Sequence, residues 1–247
     1  MAYSLIRASS QYLTITSGCF DINSDYTVCA DVMFDAVGDA TDQPLFFFEA
    51  NGSSFDKLMM WGGYGFLTLE SYTSYGGTGG NGATTLTSGV WYHVAFQRSG
   101  ADVKLFTNGA LDKTITHDAA AAGRTATNST RIGFDSSNYP NGLRVANVKA
   151  WSRALSASEI ATESKMRYPV STKSLYGFWP MVNGSDKTQD WSGAGHTWTA
   201  NGSPSEVADP PVRLRRPSLV LPVPAAAGGG GIVVPTVVHH RKMQRAQ

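Results

Sequence analysis

The sequence predicts an all-β protein: an antiparallel β-sandwich with one short helix, followed by an extended C-terminal arm. Three observations carry this. Short β-branched and aromatic runs recur along the chain. Asn-Gly pairs punctuate them at Asn51, Asn81, Asn108, Asn141, Asn183 and Asn201. A single helix-capping signature follows at Ser156. Asn and Gly tolerate positive φ, which two-residue hairpin turns require. Many short strands divided by such turns make a sandwich pattern. Their irregular intervals exclude a solenoid or propeller.

Tyr26–Phe34 alternates. Tyr26, Val28, Ala30, Val32 and Phe34 face one way, and Thr27, Cys29 and Asp31 the other. Period two predicts a half-buried strand. Trp91–Phe96 and Val103–Thr107 are further strands. Leu45-Phe46-Phe47-Phe48 is continuous, as in a strand covered on both faces. Gly76–Gly82 reads as a flexible polar loop. It is no phosphate cradle, because no Lys-Ser/Thr and no helix follow it. Ser156-Ala157-Ser158-Glu159 is a capping box. It starts a helix expected to run to about Met166 before Pro169 and to pack on a sandwich edge.

Composition bounds the rest. The 247 residues are 42% hydrophobic and 16% charged, so the chain is globular rather than disordered. No apolar run approaches the ~20 residues that span a bilayer. Met1–Arg7 has no basic and then apolar pattern, so no cleaved signal is expected. Cys19 and Cys29 are too few for a disulfide scaffold. Two reduced thiols are expected, with a single Cys19–Cys29 bridge as the alternative. The net charge of +1 conceals an asymmetry. Residues 210–247 hold six of the 20 Lys and Arg, six of the 11 Pro, no Asp or Glu and no aromatic residue. An aromatic-rich, mildly acidic body is thus joined to a basic arm, with domains at 1–205 and 206–247.

Gly89–Ala95, Val103–Gly109, Ile132-Gly133 and Gly142–Ser156 with Glu159-Ile160 form an ordered series. This series resembles the laminin-G-like branch of the concanavalin A-like lectin/glucanase sandwiches. Ser10–Ile15 resembles that family's first strand. Tyr176–Met181 with Asp190–His196 resembles a strand and turn that commonly precede the sandwich and here follow the helix. The resemblance implies a jelly-roll-like fold and, commonly, binding of glycans or proteins.

Catalysis is not expected. The glucanase branch carries paired carboxylates along one strand, in a Glu-x-Asp-x-Glu or similar run, and none occurs here. Of five glutamates, only Glu49 and Glu70 are sheet candidates, and both read as solvated strand residues. Asp31 reads as an exposed partner. His93 lacks a Ser or Cys elbow and reads as structural. So does His196. His239 and His240 are adjacent, so on extended chain they point apart and do not share a metal. No cofactor or metal is expected. Calcium is the weaker alternative that related sandwiches suggest, with candidate oxygens on the loop of Asp135, Ser136, Ser137, Asn138 and Asn141 and on the loop of Asn183, Asp186 and Asp190. Ordinary turn chemistry explains both loops. Trp61, Tyr64, Tyr72 and Tyr75 flank glycine-rich stretches and are candidate sugar-stacking residues.

The arm carries two apolar segments around Ala225–Gly231. Its prolines resist helix and central strand, and it has too few apolar groups for its own core. Extended apolar chain of this kind can dock on a neighbour's sheet edge or groove, while Arg and Lys pair with acidic patches. The anchoring candidates are Arg213, Arg215, Arg216, Val220, Ile232, Val233, Val234, Val237, Val238, Arg241 and Lys242. Sequence-specific nucleic-acid binding is not expected from two separated cation clusters without aromatic platforms. A sandwich joined to such an arm resembles the accessory proteins of bacteriophage particles. The expectation is a non-enzymatic virion surface component. The arm would hold it to capsid or shell subunits and to copies of itself, and the body would be free to touch glycans. A free-standing lectin is the second reading, and a divergent glycoside hydrolase the third.

Overall fold

The computed structural model describes residues 2–15, 23–51, 54–73, 76–117, 129–181 and 188–211. Cys19, Tyr75, Asn183, Asp186, His239, His240 and every anchoring candidate in the arm lie outside them.

The strands are β1 (Ala2–Ile6), β2 (Tyr12–Ile15), β3 (Tyr26–Phe34), β4 (Gln43–Asn51), β5 (Ser54–Met60), β6 (Phe66–Thr73), β7 (Gly76–Thr85), β8 (Tyr92–Ser99), β9 (Asp102–Thr107), β10 (Ala110–Thr116), β11 (Ser129–Ile132), β12 (Asn141–Trp151), β13 (Leu175–Trp179), β14 (Thr199–Asn201) and β15 (Ser205–Val207). They form two antiparallel sheets. One runs β10-β9-β8-β3-β12-β1-β15, with β13 also paired to β12. The other runs β14-β2-β11-β4-β5-β6-β7. The sheets pack face to face as a jelly-roll-like sandwich. β12 is long enough to pair β1 through Leu143 and Val145 and β13 through Val148 and Ala150. That is how a strand following the helix completes the sheet.

The alternation of β3 is realised, and its inward set joins Phe46, Phe48, Leu58, Leu69, Phe96 and Trp179 in the main core. The strand is not half-buried, however; both of its faces are covered. On the outer face Cys29 packs with Ala95, Phe106, Trp151, Leu155 and Ile160 beneath α1 (Ala157–Glu163). Cys29 is a free thiol, and burial pushes its pKa up. Asp31, expected at the surface, is also buried there, and the Asn147 amide donates to it at 2.7 Å. The continuous Leu45–Phe48 run is covered on both faces, as expected.

The capping box forms. Ser156 Oγ accepts from the Glu159 amide, and Glu159 accepts from the Ser156 amide at 2.8 Å. α1 ends at Glu163 rather than Met166, and it lies over the sheet face as far as edge strand β10. Past Ser164 the chain tightens into single turns, Lys165 N–H to the Thr162 carbonyl and Met166 N–H to the Glu163 carbonyl. The Glu163 carboxylate accepts from the amides of Val170 and Ser171, while Lys149 holds its other oxygen at 2.9 Å. No helix among the described residues is long and apolar enough to cross a membrane.

The largest departure is Gly76–Gly82, which is not a loop. It forms most of β7 and pairs with β6 in register. Glycine is a poor strand former, but here the neighbours need its missing side chain. A Cβ at Gly77 would overlap the Tyr72 ring, and one at Gly80 would sit 2.6 Å from Lys113 Cε. Asn81 and Asn141 likewise lie in strands, whereas Asn108-Gly109 turns β9 into β10 with φ of 51° and 84°.

Candidate functional site

In the seven-stranded sheet the outer side chains alternate with core residues. Leu67, Leu69 and Leu58 point inward, so Phe66, Glu70 and Tyr72 on β6 and Phe55 and Lys57 on β5 point outward. Registers align these side chains across strands. Tyr72 opposes Phe55, Glu70 opposes Lys57, Lys57 opposes Phe47, and Phe47 opposes Arg131.

The Tyr72 ring lies across Gly77, stacks on Phe55 at 5.1 Å and 26°, and stays 38% exposed. Phe55 rests on Phe47 at 5.2 Å. At the other end of β6, Tyr64 stacks on Phe66 at 5.5 Å, and Trp61 meets Tyr64 edge-on at 6.2 Å. Tyr64 and Trp61 are 64% and 41% exposed. A third cluster stacks Phe134 on Tyr139 at 4.5 Å, with Tyr12 tilted against Phe134 at 5.0 Å. Arg131 lies between Phe47 and Phe134, 5.6 and 5.5 Å from their centroids. Aromatic faces with free area, held rigid by neighbours, are suited to the apolar faces of ring-shaped ligands.

The charges on this face are paired. Arg131 donates to Glu49 at 2.8 Å, which also accepts from Ser129. Lys57 reaches Glu70 at 3.0 Å and Asp135 at 3.2 Å. Burial pushes the Lys57 ammonium down, but the two carboxylates outweigh it and hold it above its ordinary value. Glu49 and Glu70 are therefore half-buried members of ion pairs rather than solvated residues.

The two described loop carboxylates, Asp135 and Asp190, are committed to other donors and do not fit calcium. Asp135 Oδ1 accepts from the amides of Ser137 and Asn138, and its Oδ2 accepts from Lys57. Asp190 accepts from the amides of Phe178, Ser192 and His196 and from Ser192 Oγ. Burial raises the Asp190 pKa, and these four donors more than reverse it. Among the described residues no group of three or more His, Cys, Asp or Glu could hold a metal ion. His93 is buried and His196 stacks on Tyr176 at 3.9 Å. A surface pocket of about 170 Å³ lies on the other sheet's side, beside α1. Its Glu159 and Glu163 are committed to Arg153 and Lys149.

The structure thus brings Tyr72 and Glu70 together on one face, continuous through Phe66 with Tyr64 and Trp61. Phe47, Phe55, Lys57 and Arg131 complete this face and were missed from sequence. The signal for Phe55 was its alternation with Leu58 and Met60 on β5.

Comparison with known proteins agrees with this architecture. A Limulus polyphemus SAP-like pentraxin is 15% identical, with a TM-score of 0.51 over 66% of this chain and 82% of its own. A Bacteroides ovatus protein described as carbohydrate-binding is 16% identical, with a TM-score of 0.56 over 84% of this chain and 61% of its own. The botulinum neurotoxin serotype G binding domain is 10% identical, with a TM-score of 0.53 over 65% of this chain. This chain spans only 41% of that toxin domain and less than two thirds of the Bacteroides protein. Comparison with curated proteins gave no match. The family model for laminin-G-like domains of the concanavalin A-like lectin/glucanase superfamily matches residues 7–161, and the chain belongs to that superfamily.

Proposed function

We propose that this chain is a lectin-like module that binds carbohydrate on the outer face of its seven-stranded sheet. The observation that carries the reading is the Tyr72 ring, packed against Gly77 and stacked on Phe55 while 38% exposed. A ring held this way loses little side-chain entropy when a sugar stacks on it. The description of the similar Bacteroides protein supports the same reading. An array of glycans probed with the full chain and with Tyr72→Ala tests it. The full chain is expected to bind a subset of glycans, and Tyr72→Ala to lose at least tenfold in affinity for them. Equal binding by both overturns the site, and no binding by either overturns the function.

The basic arm favours a finer reading, in which this module is a non-enzymatic component displayed on the surface of a virus particle. Six cations and no acidic residue within 210–247 suit an acidic groove on a shell subunit. Repeated copies on a shell would convert weak single-site sugar binding into avidity. Removing 212–247 leaves every described strand in place. It is expected to abolish incorporation into particles while the body still melts cooperatively. Unchanged incorporation overturns this finer reading and leaves carbohydrate binding standing.

A further inference from the structure

The face is specific in its charge and its length. We infer that its ligand is an uncharged, linear oligosaccharide lying along β6 from Tyr72 to Tyr64 and Trp61, and that it binds without a metal ion. This rests on the carbohydrate reading above and narrows it.

Length comes first. Phe66 and Tyr72 share the outer face of β6, six residues apart, which at ~3.3 Å per residue is roughly 20 Å. Tyr64 and Trp61 extend the first cluster, and Phe55 backs the second. Two exposed platforms that far apart along one strand exceed the reach of one sugar ring. They match a chain of rings running parallel to the strand. The stretch between them is polar, with the Lys57–Glu70 pair at its centre.

Charge comes second. Among the described residues five charged side chains occupy the face: Arg131, Lys57, Glu49, Glu70 and Asp135. Each cation is already held by a carboxylate at 3.2 Å or less. An anionic sugar would meet two committed cations and three carboxylates. To recruit Arg131 or Lys57 it would have to strip a half-buried carboxylate of its partner, which is costly. Hydroxyls pay no such cost and can share the outer lone pairs of Glu49 and Glu70. The metal follows from the same arrangement. The Lys57 ammonium lies between Glu70 and Asp135, where a divalent cation would need those oxygens.

The test is an array holding neutral linear oligosaccharides of graded length beside sialylated, sulfated and uronate-containing glycans. It is probed with the full chain in EDTA and in calcium, at low and at high salt. Binding to neutral chains is expected to rise at least tenfold from one ring to four, and to be unchanged by EDTA or salt. Tyr64→Ala is expected to erase the gain with length while leaving the shortest ligands unaffected. Signals confined to anionic glycans, lost in EDTA or independent of length overturn this inference and leave carbohydrate binding intact. An array without signals removes the carbohydrate reading and this inference with it.

Discussion

Arg98 of one sheet grips Asp56 of the other through two hydrogen bonds, Nε to Oδ2 at 2.9 Å and Nη2 to Oδ1 at 2.7 Å. Both side chains are sealed from water. Tyr26 and Ser71 donate to the same carboxylate at 2.8 and 2.6 Å, and the His117 carbonyl takes a further Arg98 donor. A buried pair is tolerable only when its lone pairs and protons are satisfied in this way. Asp56→Ala would leave a buried guanidinium without its counter-ion. We expect it to cost about 3–5 kcal/mol, read as a lower urea midpoint at unchanged slope. Removing both charges in Asp56→Leu with Arg98→Met should recover only part of this, because the hydrogen bonds of Tyr26 and Ser71 to that carboxylate are lost as well. A loss below about 1 kcal/mol for Asp56→Ala would contradict the role given to the pair.

A second ion pair fastens the helix. Lys149 donates to the Glu163 carboxylate at 2.9 Å and to the Met166 carbonyl at 2.6 Å. Glu163 in turn holds the amides of Val170 and Ser171. Lys149→Met keeps the bulk but strands a buried carboxylate. The expected result is amide hydrogen exchange that quickens most in 157–171, beyond the general rise that accompanies a global loss of about 3 kcal/mol. Unchanged exchange in that segment would show that the clamp is not what holds it.

The helix start carries a pH dependence. The Arg153 hydrogen bond, joined by donors from Ser156, holds the Glu159 carboxyl at about 2 against an ordinary 4.5, although partial burial opposes them. A depressed folded pKa stabilises fully above the unfolded value. That contribution is lost as pH falls from about 4.5 towards 2. Amide protection of the first turn of α1 is expected to weaken across this window. In Glu159→Gln it should be weak throughout and independent of pH there. Ser156→Ala should cost about 1 kcal/mol at neutral pH, read by thermal or urea melts.

Local chemistry was legible in the sequence where it closes within a few residues. The capping box is complete within Ser156–Glu159, and the alternation of β3 identifies its inward face. What lies over its outer face was not legible, because that depends on where residues 151–175 return. Asp31 and Cys29 therefore read as more open than they are. Gly76–Gly82 misled for a related reason. Composition reads glycine as loop, whereas pairing with β6 and the rings packed on its backbone make it a strand. At the site, Tyr72 and Trp61 were visible as aromatics beside glycine. Phe47 was not, because the unbroken Leu45–Phe48 run has no period to say which ring faces out. Arg131 joins the face only through its register with Phe47.

Cys29 offers a direct check on how closed the outer layer is. It is fully buried beneath α1, and burial drives its pKa above the ordinary thiol value, so the reactive thiolate is scarce. In the native chain at neutral pH, its peptide should stay unmodified by iodoacetamide over hours, by mass spectrometry. It should label fully in denaturant. Labelling in the native state at a rate near that of a free thiol would mean that the helix layer opens readily.

The glycine strand links stability to the site, and a matched pair of substitutions separates the two. Gly77→Ala and Gly79→Ala change strand propensity equally, and both lie on β7 opposite β6. At Gly79 a new Cβ meets the Leu69 carbonyl at 3.3 Å and Glu70 Cγ at 3.5 Å, contacts that small shifts relieve. At Gly77 it overlaps the Tyr72 ring, which has Phe55 on its β5 side and must leave its present position. Both variants should therefore melt within about 1 kcal/mol of each other, because the displaced ring is already 38% exposed. Only Gly77→Ala should lose carbohydrate binding, to the same extent as Tyr72→Ala. Equal binding by the two alanine variants would separate the posture of Tyr72 from recognition and return the glycines of β7 to a purely structural role.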